Sequence, residues 1–347
     1  MANIERYFAA ANSGDGFYGF FGDIFDRKKF DKIYLLRGGS GTGKSTLMKK
    51  IGKRAETEGL SVHYIPCSSD IDSLDGVVIP EKSAAIFDAT APHSSEPLYP
   101  GAVDVTAELY PALDEAPLRS RREEIIAIAD RAGRETSAAR EYLSAAGRMK
   151  RETIHEAGYV FEAEKASRIA RREASCRPVG GEEKHRFISS ISKDGEKSLD
   201  TYLRLARVKI AVTDKFGLGH ELLRLILAFS RERGAYCTVF PDPVTPEYPE
   251  ALWFESDGTY FFIDKEGDCD CERRINIMRF ISKKRLAEIR GRLRFAKKCE
   301  NALTDGAIGY FARAAERHSE LEKIYSSAMD FGYADGLADK IISEIFG

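Results

Sequence analysis

The chain has 347 residues, 43% apolar and 31% charged, with 53 basic against 55 acidic side chains and a formal charge of −2. That balance excludes a disordered or collagen-like chain. It also gives no general attraction to nucleic acid or to an anionic membrane surface.

The N-terminal stretch MANIERYFAAANSGDG lacks a basic region followed by an apolar one, so it does not read as a signal peptide. No apolar run approaches the ~18 residues of a membrane-spanning helix. Six scattered cysteines (Cys67, Cys176, Cys237, Cys269, Cys271 and Cys299) suit reduced thiols. A cytoplasmic protein of two domains is expected.

The aromatic run Phe17, Tyr18, Phe20, Phe21, Phe25 and Phe30 is expected to pack a helix onto a sheet. After it, residues 32–36 (KIYLL) are rich in strand formers. Arg37-Gly38-Gly39-Ser40-Gly41-Thr42-Gly43-Lys44-Ser45-Thr46 follows directly. Leu47, Ile51 and Ala55 then recur at helical spacing, and Gly59 ends the helix. Gly38-x4-Gly43-Lys44-Ser45 is therefore a strand–loop–helix phosphate-binding signature in its required context. Glycines let backbone N–H groups wrap a phosphate chain that side chains would obstruct. The helix start adds its positive dipole end. Lys44 is expected to reach the β- and γ-phosphates of ATP, and the Ser45 hydroxyl to ligate Mg2+. No NKxD-type guanine motif is visible, which tilts the base towards adenine.

Residues 61–66 (SVHYIP) and 83–88 (SAAIFD) read as further strands. Asp88, at the end of the latter, is the expected Mg2+ carboxylate at the carboxyl edge of a parallel sheet. Between them, Cys67 to Gly76 holds Asp70, Asp72 and Asp75 in what reads as a loop. One of the three would polarise a water or an acceptor hydroxyl, or Asp72 would cap a short helix over 73–79. Asp70, nearest the strand end, is the chosen catalytic candidate beside Lys44 and Asp88. His93 is a further candidate for the γ-phosphate or a structural hydrogen bond. No Glu follows Asp88, as it does in many ring-forming ATPases.

The second half holds weak copies of the first. Arg6-Tyr7-Phe8 is echoed by His185-Arg186-Phe187, and the loop at 38–45 by Asp214-Lys215-Phe216-Gly217-Leu218-Gly219-His220-Glu221. A duplicated phosphate-loop domain is the economical reading. In the copy, His220 stands for Lys44 and Glu221 for Ser45, so this half is expected to bind no triphosphate and to serve as scaffold, lid or regulatory partner. Residues 117–177 have helical periodicity with Gly133, Gly147 and Gly158 as breaks, which predicts two helices folded as an antiparallel arm. Their arginines read as a solvated face. Cys269-Asp270-Cys271 lacks a second metal-ligand pair, so zinc is not expected.

The runs RYFAAANSGDGFYGFF, GGSGTGKSTLMKKIG, CSSDIDSLDGVVIPE and IFDATAPH resemble an uncharacterised bacterial family of tandem phosphate-loop proteins. Its members are usually described only as ATPases, ATP-binding proteins or nucleotide-kinase-like proteins. The resemblance is strongest over 5–105. In that family the second half often keeps its own glycine-rich loop and lysine; this chain departs there, at 214–221.

The expectation is an α/β fold: a P-loop NTPase domain over 1–178 with its helical arm, then a degenerate copy over 184–347. One Mg2+-ATP site would hydrolyse ATP, act as a kinase on a small acceptor, or switch conformation without turnover. Partners are a nucleotide and an unidentified acceptor or protein. Membrane and nucleic acid are not expected, and the oligomeric state is open.

Overall fold

The computed structural model describes residues 3–91 and 94–347; His93 lies outside the described residues. The first half runs β1 (Ile4–Arg6), a hairpin of β2 (Ala10–Ser13) and β3 (Gly16–Gly19), the short α1 (Phe21–Ile24), β4 (Lys32–Arg37) and α2 (Lys44–Thr57). It continues through β5 (Val62–Pro66), β6 (Leu74–Ile79), β7 (Ala84–Asp88) and β8 (Asp104–Glu108). Then come α3 (Glu115–Ser120), α4 (Arg122–Gly158) and α5 (Ala163–Ser175). β4 is buried along its length because both faces are covered, and its residues alternate between them. Tyr34 and Leu36 join Leu47, Met48 and Ile51 of α2. Ile33 and Leu35 point the other way.

The second half repeats the order. It runs β9 (Lys184–His185), the hairpin β10 (Ser189–Ser192) and β11 (Gly195–Ser198), α6 (Thr201–Leu205), β12 (Val208–Thr213) and α7 (Gly219–Glu232). β13 (Thr238–Pro241), β14 (Pro249–Phe254), β15 (Thr259–Asp264), β16 (Arg273–Asn276), α8 (Lys283–Ser326) and α9 (Phe331–Phe346) complete it. The sheets are ordered β1-β5-β6-β7-β4-β8 and β9-β13-β14-β15-β12-β16, so strand for strand they share one connectivity. Both even carry a register shift at a proline, Pro66 and Pro241.

The sheets are mixed rather than parallel, which corrects the expectation. β6 runs antiparallel to β5 and β7, and β14 does so to β13 and β15. The reason is the connection: the segments joining β5, β6 and β7 are too short for the crossover that a parallel pair needs. Leu74–Ile79 is a strand, which rules out the alternative of a short helix over 73–79 capped by Asp72. Its β-branched run Val77-Val78-Ile79 prefers a pleated, buried surface.

The two sheets meet face to face. Ile33, Leu35 and Phe87 of the first share a buried cluster with Ala211, Trp253, Tyr260 and Phe262 of the second. Phe25 stacks on Phe87 there, with ring centroids 4.5 Å apart. At the hairpins, Phe8 and Phe187 exchange both backbone hydrogen bonds, at 2.8 and 2.9 Å. Asn12 Nδ2 donates to the Ile191 carbonyl at 3.2 Å. Phe8 and Phe187 precede the corresponding hairpins of the two halves, so their mutual pairing places an approximate two-fold axis between the halves.

The helices depart most from the sequence expectation. α4 is one continuous 37-residue helix, not a hairpin broken at Gly133 and Gly147. It pairs instead with α8, a helix of 44 residues from the other half. Gly147 is a packing site, where an added Cβ would lie 3.3 Å from the Val244 carbonyl. The ends of this pair are exchanged. Ala166 and Ala170 of α5 bury against Leu222, Leu223 and Ile226 of α7 in the second half. Ala334, Ala338 and Ile341 of α9 bury against Leu47 and Ile51 of α2 in the first. The strands divide at 178–184, but each core is completed by a helix from beyond that boundary. No helix among the described residues is long and apolar enough to cross a membrane.

Candidate functional site

The loop Gly38–Gly43 leaves the carboxyl end of β4 and enters α2. Gly41 (φ +70°) and Gly43 (φ +85°) hold left-handed backbone that favours glycine. A Cβ on Gly38 would lie 2.5 Å from Thr42 Oγ1, whose hydroxyl donates to the Gly39 carbonyl at 2.8 Å. Gly43 caps α2 without a side chain, so no side chain takes the amides of the first turn. Ser40 Oγ lies 3.4 Å from His318 Nδ1, and Thr46 is exposed on the first turn.

Lys44 Nζ donates to the carbonyls of Gly38 and Gly39, at 2.5 and 2.8 Å, and lies 3.6 Å from Asp88 Oδ2. The ammonium therefore closes on the loop itself, where a phosphate oxygen would compete for it. Ser45 Oγ accepts from the Leu74 amide at 3.0 Å, which ties α2 to the start of β6. Asp88 Oδ1 accepts from the Thr90 amide at 2.9 Å and from the Thr90 hydroxyl. Burial pushes the Asp88 carboxyl above its usual range, opposed by Lys44 and Thr90; the nearby Asp75 pushes it further up.

Asp75 differs from its expected place in a loop. It sits on β6, buried, beside Asp88 and the thiol of Cys67, which burial and Asp75 together push well up. Recognising Val77-Val78-Ile79 as a strand would have set Asp75 at the sheet edge. Asp70, the chosen base, lies 3.5 Å from Lys193 Nζ on the second hairpin and is drawn towards the other half. Asp72 caps nothing: its side chain is exposed and its carbonyl accepts from Lys49 Nζ at 2.5 Å.

The second loop is built differently. Asp214 Oδ2 accepts from the Gly219 amide at 2.8 Å, and its Oδ1 from the Phe216 amide at 2.9 Å. A carboxylate of the chain thus occupies the amides that a phosphate would use. His220, at the lysine position, is buried with Nδ1 2.8 Å from the Pro249 carbonyl; burial, then Lys150, pushes its pKa down. Glu221 merely pairs with Arg224 on the helix surface.

The chain matches no family model, and no curated protein or solved structure matches it significantly.

Helix α8 supplies a cover that the sequence did not announce. A Cβ on Gly41 would lie 2.5 Å from the Glu322 carbonyl, and one on Gly43 would lie 3.7 Å from the Phe331 ring. The junction of α8 and α9 therefore lies over the first loop.

Asp88 carries a test of its own. A carboxyl whose folded pKa is raised binds its proton more tightly in the native state, so stability falls as pH rises through that pKa. Asp88→Asn removes the penalty. Without nucleotide the variant is expected to melt above the parent protein at pH 8, with the gap closing by pH 4. Equal melting temperatures at both pH values would contradict the burial of this charge.

Proposed function

We propose that the chain is a tandem, duplicated phosphate-loop protein that binds Mg2+-ATP at Gly38–Thr46 and transfers the γ-phosphoryl group to water. The carrying observation is the convergence of Lys44, the uncapped start of α2 and Asp88 on one sheet edge. Left-handed glycine backbone and a polar donor set fit a polyphosphate. The resemblance to tandem phosphate-loop proteins over 5–105 points the same way.

In this reading the Gly39–Lys44 amides hold the phosphates and Lys44 leaves the Gly38 and Gly39 carbonyls to pair with them. Ser45 and Asp88 hold the Mg2+, which supplies charge neutralisation on the phosphate oxygens. Asp75 is better placed than Asp70 to orient the attacking water, because it is buried against Asp88. Positioning and charge neutralisation carry the rate. The second half keeps the architecture and has Asp214 in place of phosphate on its loop amides.

One observation favours a second reading, an ATP-gated switch. The Glu322 backbone rests on Gly41, so a filled loop and the α8–α9 junction must adjust together. ADP release from Mg2+-ATP by the full chain, with EDTA as control, decides between them. Steady Mg2+-dependent turnover establishes hydrolysis. Nucleotide binding with a change in shape and no turnover selects the switch, and absence of Mg2+-ATP binding overturns both.

A further inference from the structure

Beside the second loop lie two adjoining cavities of about 510 and 310 Å3 that share Lys215, Phe216 and Arg294. They open at the ends of β12 and β16, where Thr213 and Asn276 reach the second cavity. This is the carboxyl edge of the sheet, the place where open α/β sheets take their ligands. It matches the position of Gly38–Gly43 on the first sheet.

The walls are strongly basic. Arg290, Arg294, Lys297 and Lys298 come from α8 and Lys215 from the loop, against one wall carboxylate, Asp305. Among the described residues only Lys297 of these cations has a carboxylate partner, Glu300 at 2.8 Å. Arg290, Arg294 and Lys298 follow one another at i, i+4 and i+8, a spacing at which like charges repel along a helix. A bound polyanion relieves that repulsion. The Phe216 ring lines both cavities and offers an apolar face between the cations.

We propose that this cavity is a second ligand site, for a small molecule carrying two or more phosphates, held by side chains and not by loop amides or a metal. A phosphate ligand here is not held by the loop. The loop amides are indeed taken by Asp214, and the cations that replace them stand across the cavity on α8. The site is independent of what the first loop does.

The test is calorimetric titration of the full chain carrying Lys44→Ala with tripolyphosphate, without Mg2+ and at low salt. The expected result is one site per chain, weakened at least tenfold when Arg290→Ala and Arg294→Ala are added and also weakened by Lys215→Ala. These side chains are exposed, so the variants keep the parent melting curve. ADP distinguishes the source of the phosphates. ADP binding more tightly than pyrophosphate, with the difference lost in Phe216→Leu, marks a nucleotide; equal binding marks a free polyphosphate. No binding by Lys44→Ala, or binding indifferent to Arg290 and Arg294, overturns the proposal. Equal weakening by Lys283→Ala, Lys284→Ala and Arg285→Ala, from the start of α8, would also overturn it, in favour of an open surface for nucleic acid.

Discussion

Lys44→Ala is expected to lower ADP release from Mg2+-ATP by about 10²- to 10³-fold, the cost of removing one preorganised charge-stabilising donor. The cost in stability should be moderate. In the free protein the Lys44 ammonium serves the Gly38 and Gly39 carbonyls and lies 3.6 Å from Asp88 Oδ2, and losing charge-assisted contacts at this largely buried site costs about 1–3 kcal/mol. Lys44→Arg separates charge from shape. Its planar guanidinium does not fit a loop that a compact ammonium fills, so it too is expected to fail. Turnover within tenfold of the parent protein in either variant, measured by steady-state ADP release, would remove Lys44 from the chemistry.

Lys150→Met is expected to cost about 3–5 kcal/mol, a large share of a typical domain's stability. Lys150 on α4 is buried with its ammonium on Asp242 Oδ2. Asp242 Oδ1 meanwhile accepts from the amides of Val244 and Thr245 and from the Thr245 hydroxyl. Removing the lysine strands an ionised carboxylate in the interior. Asp242→Asn keeps the Oδ1 acceptor, so Lys150→Met with Asp242→Asn is expected to recover most of the loss. Burial pushes the Asp242 carboxyl up, but Lys150 and His220 hold it below its ordinary range. A depressed pKa gives stability that is present above the unfolded carboxylate value and lost as pH falls through the folded one. The gap between parent and double variant should therefore narrow below about pH 4. Urea midpoints at pH 7 and at about pH 2.5, below the unfolded carboxylate value, check both statements; a single variant as stable as the double would show the charge to be solvated.

Local signals read well where chemistry and backbone demand the same residue. Gly41 and Gly43 take left-handed backbone, and the motif spacing already required glycine there. The common strand order of the two sheets is foreshadowed by Phe8 and Phe187, which, like Gly41 and Gly217, fall in the same order in both halves. What failed was anything decided by distant partners. Gly133 and Gly147 look like breaks in isolation, yet α4 runs through them because α8 covers its apolar stripe. Asp75 looked like one loop acid among three until the strand beneath it was recognised. The cover over Gly41 comes from Glu322, some 280 positions away along the chain, which no local pattern encodes.

The exchanged helices set a timetable for synthesis. The strands of the first sheet and α2 are complete once Glu108 has been made, but their core still lacks Ala334, Ala338 and Ile341. More than two hundred further residues must leave the ribosome first, on the order of 10 s or more at ordinary rates of elongation. Until then α2 is packed on the sheet but the side of this core that α9 covers stays open and needs guarding against aggregation. Glu322 and Phe331, which lie over Gly41 and Gly43, arrive with that same last segment. The Gly38–Gly43 loop is therefore uncovered in the nascent chain and is covered only once the finished protein has folded.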